Sequence, residues 1–140
     1  MIIKTSNILD SDCTGLVVPV NTKGVAGAGL AKAWKQKFCS AYQEYRAICN
    51  QDIITPGSVK VLTASEPHIM VFTKDHWSNP SKLEWIETAL IQLWVTIQDN
   101  TQSIKLPKIG CGLGGLDWDT EVFPMVKRYL VEFENLEVYI

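Results

Sequence analysis

The chain has 140 residues, 46% of them hydrophobic, and a formal net charge of −2. That length suffices for one domain with its own core and no metal or disulfide staples, and the apolar share excludes an intrinsically disordered chain. The charge excludes a protein that grips bare nucleic acid by bulk attraction, though it leaves room for a local basic groove.

Ile2–Lys4 opens as a short strand. Gly15–Val20 (GLVVPV) is an apolar, β-branched run and is expected as a buried central strand. It ends at Asn21-Thr22, and a first glycine loop follows over Gly24–Gly29 (GVAGAG). A helix is expected from near Leu30, with Leu30, Ala31, Trp34 and Phe38 on its apolar side and Lys32, Lys35 and Lys37 facing out. Ser40 suits the cap of a second helix running through Tyr42, Tyr45 and Cys49. Pro56-Gly57 reads as a turn, Val59–Leu62 and Ile69–Phe72 as strands, and Thr73–Pro80 as a loop. Ser81 with Glu84 three residues on forms a capping-box pattern for a helix whose apolar stripe is Leu83, Ile86, Leu90, Leu93, Trp94 and Ile97. Ser103–Leu106 is the next strand, leading through Pro107-Lys108-Ile109 into a second glycine loop, Gly110–Gly115 (GCGLGG). A last helix is expected over Thr120–Phe133, with Pro124 in its early turns, before a closing strand over Leu136–Ile140.

The order β-β-α-α-β-β-α-β-α-β predicts an α/β fold with helices on both faces of a mixed, mostly parallel six-stranded sheet. No internal repeat or linker interrupts it, so one domain over residues 1–140 is expected. The four cysteines (Cys13, Cys39, Cys49, Cys111) contain no C-x-x-C pair, and His68 and His76 stand at no ligand spacing to them, so no metal is expected. Scattered cysteines suit a reducing compartment. No run approaches the ~20 apolar residues that span a bilayer, and the N-terminus lacks a signal pattern; a cytoplasmic protein with no membrane partner follows.

The chemistry is concentrated in the glycine loops, which hold seven of the nine glycines. Each follows the carboxyl end of a strand and precedes a helix, the edge at which open α/β sheets bind ligands. Glycine lets backbone N–H groups approach an anion closely, and a helix start adds positive partial charge. Two such loops face to face would suit a diphosphate. Neither spells the G-x-x-x-x-G-K-[ST] of a nucleoside-triphosphate loop, and the first is not a G-x-G-x-x-G.

Three ordered stretches carry a more specific signal. Asn7-Ile8-Leu9 with Val20–Ala31 (VNTKGVAGAGLA), Thr73–Trp77 (TKDHW) with Ser81–Glu87, and Pro107–Trp118 (PKIGCGLGGLDW) together resemble the macrodomain family. The best resemblance is to its DarG-like branch, the DNA ADP-ribosyl glycohydrolase antitoxin macrodomains, related to terminal ADP-ribose protein glycohydrolase. The resemblance runs over nearly the whole chain and implies a three-layer α/β/α sandwich with an ADP-ribose cleft. By motif position, Asn7 and Ile8 would meet the adenine, with Asn standing where many macrodomains have Asp. Asn21 would face the distal ribose, Thr73 would contribute to the ligand site, and Gly27, Ala28, Gly29 and Leu30 would cover one side of the diphosphate. Gly110, Cys111, Gly112, Leu113 and Gly114 would cover the other.

The resemblance also implies catalysis by Lys74 of the Thr-Lys motif, attacking or polarising the anomeric carbon; a desolvated amine can be neutral and nucleophilic. The protein-directed enzyme of the branch has an acid at the position of Gly114. Its absence here, within Gly-Gly-Leu-Asp-Trp, favours the DarG form and ADP-ribosylated DNA as substrate. Three functions follow as expectations: hydrolysis of the link between ADP-ribose and a DNA base, ADP-ribose binding without turnover, and ADP-ribose 1″-phosphate phosphatase activity. None needs a cofactor. DarG-like antitoxins carry a second, toxin-gripping domain; a chain of this length is expected to act without one, as a monomer.

Several residues carry two readings each. His76 suits proton transfer or phosphate contact, or simply the loop. Trp77 suits base stacking or loop anchoring. Asp117 fits a helix cap better than a base, and Cys111 a backbone role better than a nucleophile, since no partner base is apparent. Lys32, Lys35 and Lys37 suit a solvated helix face better than DNA phosphates.

Overall fold

The computed structural model describes residues 1–51, 53–63, 68–98 and 102–140. Six strands form one sheet in the order β1-β6-β5-β2-β4-β3: β1 Ile2–Lys4, β2 Leu16–Asn21, β3 Val59–Leu62, β4 His68–Lys74, β5 Ile104–Leu106 and β6 Leu136–Tyr139. Every pairing is parallel except β3 with β4. The sheet is thus mixed and mostly parallel, as the element order implied.

Period-two alternation splits the core into two layers. On β2, Leu16, Val18 and Val20 face a cluster with Trp34, Tyr42 and Tyr45, whereas Val17 faces a cluster with Ile86, Leu90 and Leu93. On β4, Met70 and Phe72 go to the first cluster and Ile69 and Val71 to the second. Helices α1 (Gly29–Lys37) and α2 (Cys39–Gln51) therefore cover one face, and α3 (Leu83–Ile97) and α4 (Phe123–Leu130) the other. Trp34 anchors the first layer: it is fully buried, meets Tyr42 and Tyr45 edge-on, and its indole N–H donates to His68 Nδ1 at 3.0 Å.

Several local expectations are corrected. The helix after Ser81 begins at Leu83 with Lys82 as its uncapped N-cap, so no capping box forms. Ser81 instead donates its backbone N–H to Gly114 O at 2.9 Å, tying the segment to the second glycine loop. Trp94 leaves the expected stripe and is 37% exposed, because the buried face follows Ile86, Leu90, Leu93 and Ile97. Ser40 lies inside α2 rather than ahead of it. The last helix opens with a π-turn over Trp118–Val122, and its α-helical part ends at Leu130. Pro124 accounts for the irregular start: it has no N–H for an i→i−4 bond, and the turn before it closes through Phe123 N–H to Trp118 O. A 3-10 turn over Ile8–Asp10 has no counterpart among the expected elements.

Candidate functional site

Two irregularities of the central strands shape the site. β2 pairs with β4 along its whole length but with β5 only at Leu16↔Lys105. Lys105 N–H donates to Gly15 O at 3.0 Å, so odd residues of β2 point their backbone toward β5. Pro19 has that parity and lies beyond the paired stretch, so its missing N–H costs no ladder bond. The gap left where β5 turns away at Pro107 becomes a cavity floor, lined by Pro19, Val20, Pro107 and Lys108. The second irregularity is a register shift: Val20 pairs with Phe72 but Asn21 with Lys74. Thr73 is the extra residue, buried and lining the cavity, and the bulge it makes re-aims Lys74.

The cavity has a volume of about 580 Å³, within the usual range for a small-molecule site. The first glycine loop supplies Gly27, Ala28, Gly29 and Leu30 to its lining, and the second supplies Gly110, Cys111, Gly112, Leu113 and Gly114. Asn21, Thr73, Lys74 and Trp77 complete the part of the lining anticipated from sequence. Ser81 and Lys108 line it too and were missed. Ser81 is brought in by its bond to Gly114, a pairing without local sequence signal.

The first loop is held by Asn21. Its Nδ2 donates to Val25 O at 2.7 Å, and its Oδ1 accepts from Lys23 N–H at 3.0 Å. Tyr45 Oη donates to Asn21 O at 2.7 Å and lies 3.1 Å from Oδ1. Through these bonds the Asn21 side chain positions the first loop at the cavity wall. Ala28 is the N-cap of α1 and no side chain caps the helix, whose first-turn N–H groups belong to residues that line the cavity. Gly29 has φ +57, a conformation suited to glycine.

In the second loop, Gly112 O accepts from Gly115 N–H at 3.1 Å and Gly110 O from Leu116 N–H at 3.1 Å. With carbonyls engaged inward, the N–H groups of Gly112, Leu113 and Gly114 donate to no acceptor among the described residues. Together with the α1 start, they make a cradle for an anion. A Cβ on Gly114 would overlap Gly110 O and stand 2.7 Å from Ser81 Oγ, so the glycine is imposed by packing. Cys111 Sγ donates to Ile109 O at 3.4 Å, and burial pushes its thiol up to about 11. A protonated thiol is a poor nucleophile, which agrees with the expectation of a backbone role for Cys111.

Lys74 and Lys108 are the charged residues of the lining, and no carboxylate lines the cavity among the described residues. Lys74 is half-buried, and desolvation holds its amine below the usual lysine range. Its Nζ donates to Trp77 O at 3.4 Å. Lys74 ends β4, and the loop after it, which bears Trp77, is fixed: Thr22 Oγ1 donates to Asp75 O at 2.6 Å, His76 N–H to Asp75 Oδ1 at 2.8 Å, and Asn79 Nδ2 to the same oxygen at 3.2 Å.

The remaining candidates lie outside the lining. Asn7 Oδ1 accepts from Leu9 N–H at 3.0 Å and caps the 3-10 turn, and Ile8 is buried in the core. Both follow β1, whose carboxyl end lies on the same sheet edge as the glycine loops. His76 stacks on Trp77 and contacts Ser78. Asp117 caps the last helical segment, accepting from Thr120 N–H at 2.8 Å. Lys35 lies over the Tyr42 ring, 4.5 Å from its centroid, and Lys37 donates to Leu9 O, so both have partners within the fold.

The Macro domain family model matches residues 17–122, a span that takes in both glycine loops. The chain belongs to the macrodomain family. This macrodomain is 36% identical over 140 residues to the DNA ADP-ribosyl glycohydrolase of Thermus aquaticus, a match covering 96% of the chain and 39% of the relative. The macrodomain of Mycobacterium tuberculosis DarG has the same fold, with a TM-score of 0.90 at 30% identity over 99% of this chain and 95% of that one. Thermosipho africanus DarTG, solved in complex with ADP-ribose, gives a TM-score of 0.87 at 28% identity over 98% of this chain and 40% of that one. The macrodomain thus spans about two-fifths of the length of its curated Thermus relative. Among the described residues, no helix is long and apolar enough to cross a membrane.

Proposed function

We propose that this macrodomain binds ADP-ribose with its diphosphate between the two glycine loops and hydrolyses the N-glycosidic link joining that ADP-ribose to a DNA base. The observation that carries the reading is Lys74: an amine with a depressed pKa, aimed by a β-bulge into a cavity free of carboxylates among the described residues. The Thermus relative, named as a DNA ADP-ribosyl glycohydrolase, supports the substrate class.

The neutral Lys74 amine bonds to C1″ as the C1″–N bond to the base breaks, and the base leaves with its electron pair and a proton given up by the lysine. The ribose ring opens to an imine on Nζ. Water then adds, releasing ADP-ribose and restoring the amine. Backbone N–H groups of both loops hold the diphosphate, so the sugar is presented to Nζ in one orientation. The chain has no disulfide among the described residues and acts, in this reading, in a reducing compartment such as the cytoplasm.

The test is a substrate panel of ADP-ribosylated thymine and guanine oligonucleotides, glutamate- and serine-linked protein, and ADP-ribose 1″-phosphate, with chromatographic detection of product. Release of ADP-ribose from the oligonucleotides, lost in Lys74→Ala, is the expected result. Tight binding of ADP-ribose with no product from any substrate assigns a binding module instead, and phosphate release from the 1″-phosphate assigns a phosphatase.

A further inference from the structure

Trp77 lines the cavity and is 53% exposed. It is not loose. The His76 ring stacks on it with centroids 3.7 Å apart and planes 28° from parallel. His76 is itself pinned: its Nδ1 lies 2.7 Å from Ser78 Oγ and accepts from Ser78 N–H at 3.2 Å. The backbone beneath is held through Asp75 by Thr22, His76 and Asn79. One ring face is therefore propped from behind. The residue's own carbonyl accepts from Lys74 Nζ, so the Trp77 backbone lies beside the amine proposed to attack. No carboxylate or amide of the described lining stands ready to hydrogen-bond a leaving group there, apart from the Asn21 side chain already engaged by its loop.

We propose that Trp77, propped by His76, is the platform on which the leaving nucleobase stacks, and that it selects base-linked over amino-acid-linked ADP-ribose. The inference rests on the glycohydrolase reading above and deepens it. A flat, rigid, pre-ordered ring stacks on any base with little ordering cost, whereas a glutamate or serine side chain offers no π-face to it.

The experiment compares wild type, Trp77→Ala, Trp77→Phe and His76→Ala on an ADP-ribosylated thymine oligonucleotide and on free ADP-ribose. For Trp77→Ala, KM for the oligonucleotide is expected to rise about tenfold or more, with kcat changed less, from loss of one base–aromatic stack. Affinity for free ADP-ribose stays within about twofold, because the loops that hold it are intact. Trp77→Phe recovers most of the loss, and His76→Ala gives a smaller rise in KM by freeing the ring. Equal losses for oligonucleotide and free ADP-ribose would show a loop anchor and overturn the proposal, as would an unchanged KM in Trp77→Ala. Binding needs no turnover. A wild type that binds the modified oligonucleotide more tightly than ADP-ribose without cleaving it contradicts the hydrolase reading and leaves the stack measurable by affinity. A wild type that binds both equally overturns the stack itself.

Discussion

Gly114→Ala tests whether the second glycine loop is shaped by packing rather than by mere turn-making. The added Cβ would overlap the Gly110 carbonyl oxygen and come within 2.7 Å of both Gly110 C and Ser81 Oγ. Two of those three atoms are backbone, so no side-chain rotation relieves the clash. The loop must move, and the Ser81 N–H to Gly114 O bond moves with it. Overpacking of this kind costs about 1–3 kcal/mol. At ~2–4 °C per kcal/mol for a chain of this size, Tm falls by roughly 2–12 °C. The same displacement disturbs the Gly112–Gly114 N–H cradle, so ADP-ribose affinity should fall by about tenfold or more. Gly27→Ala is the control: its Cβ meets only Val25 Cγ1 at 3.8 Å, and its φ is not positive. It should hold Tm or raise it slightly, since restricting the unfolded chain adds up to ~1 kcal/mol of stability. Differential scanning fluorimetry and calorimetric titration read both quantities. An unchanged Tm and affinity in Gly114→Ala would refute the packing argument. The same geometry recasts the missing acid at this position: a carboxylate at 114 needs a different loop backbone, not a single substitution.

Two further outcomes follow. In the proposed reaction the attacking form of Lys74 is the neutral amine, and burial lowers its pKa, so kcat/KM should climb as pH rises toward that depressed pKa and level off above it, while Lys74→Arg, always protonated, should be inactive. A flat or falling profile across about pH 6–9 would contradict the lysine mechanism. Ser81→Ala should leave the Tm of the ligand-free protein unchanged or raised, because Ser81 Oγ is buried with no hydrogen-bond partner among the described residues; loss of ~1 kcal/mol would instead restore the capping role that its sequence pattern suggested.

The fold was largely legible because its strands obey period-two burial and its long helices a clean apolar face. Val17 and Val18 on β2, and Ile69 and Met70 on β4, divide between two layers as an alternating strand between helices must. The glycine loops were legible for a local reason: each joins a strand end to a helical segment, and the two strands prove to be neighbours in the sheet. What sequence could not supply was set by non-local contacts. Ser81 looks like a capping residue next to Glu84, yet its backbone is claimed by Gly114, 33 positions away by the difference of residue numbers. The bulge at Thr73 that aims Lys74 exists only in the register of β2 against β4. Asn21 reads as a ligand-facing residue; it lines the cavity, and its amide also holds the first loop through Val25 and Lys23, which sequence did not suggest. Asn7 and Ile8 follow β1 on the sheet edge of the site but outside the cavity lining, where Asn7 caps a 3-10 turn that sequence did not suggest.

The most direct test of the central claim is single-turnover release of ADP-ribose from an ADP-ribosylated thymine oligonucleotide by wild type and by Lys74→Ala, with free ADP-ribose affinity measured on both. The cavity and its lysine predict release by wild type, loss of about 10²-fold or more in the variant, and affinity for ADP-ribose within a few-fold of wild type. Release at an undiminished rate by Lys74→Ala would contradict it.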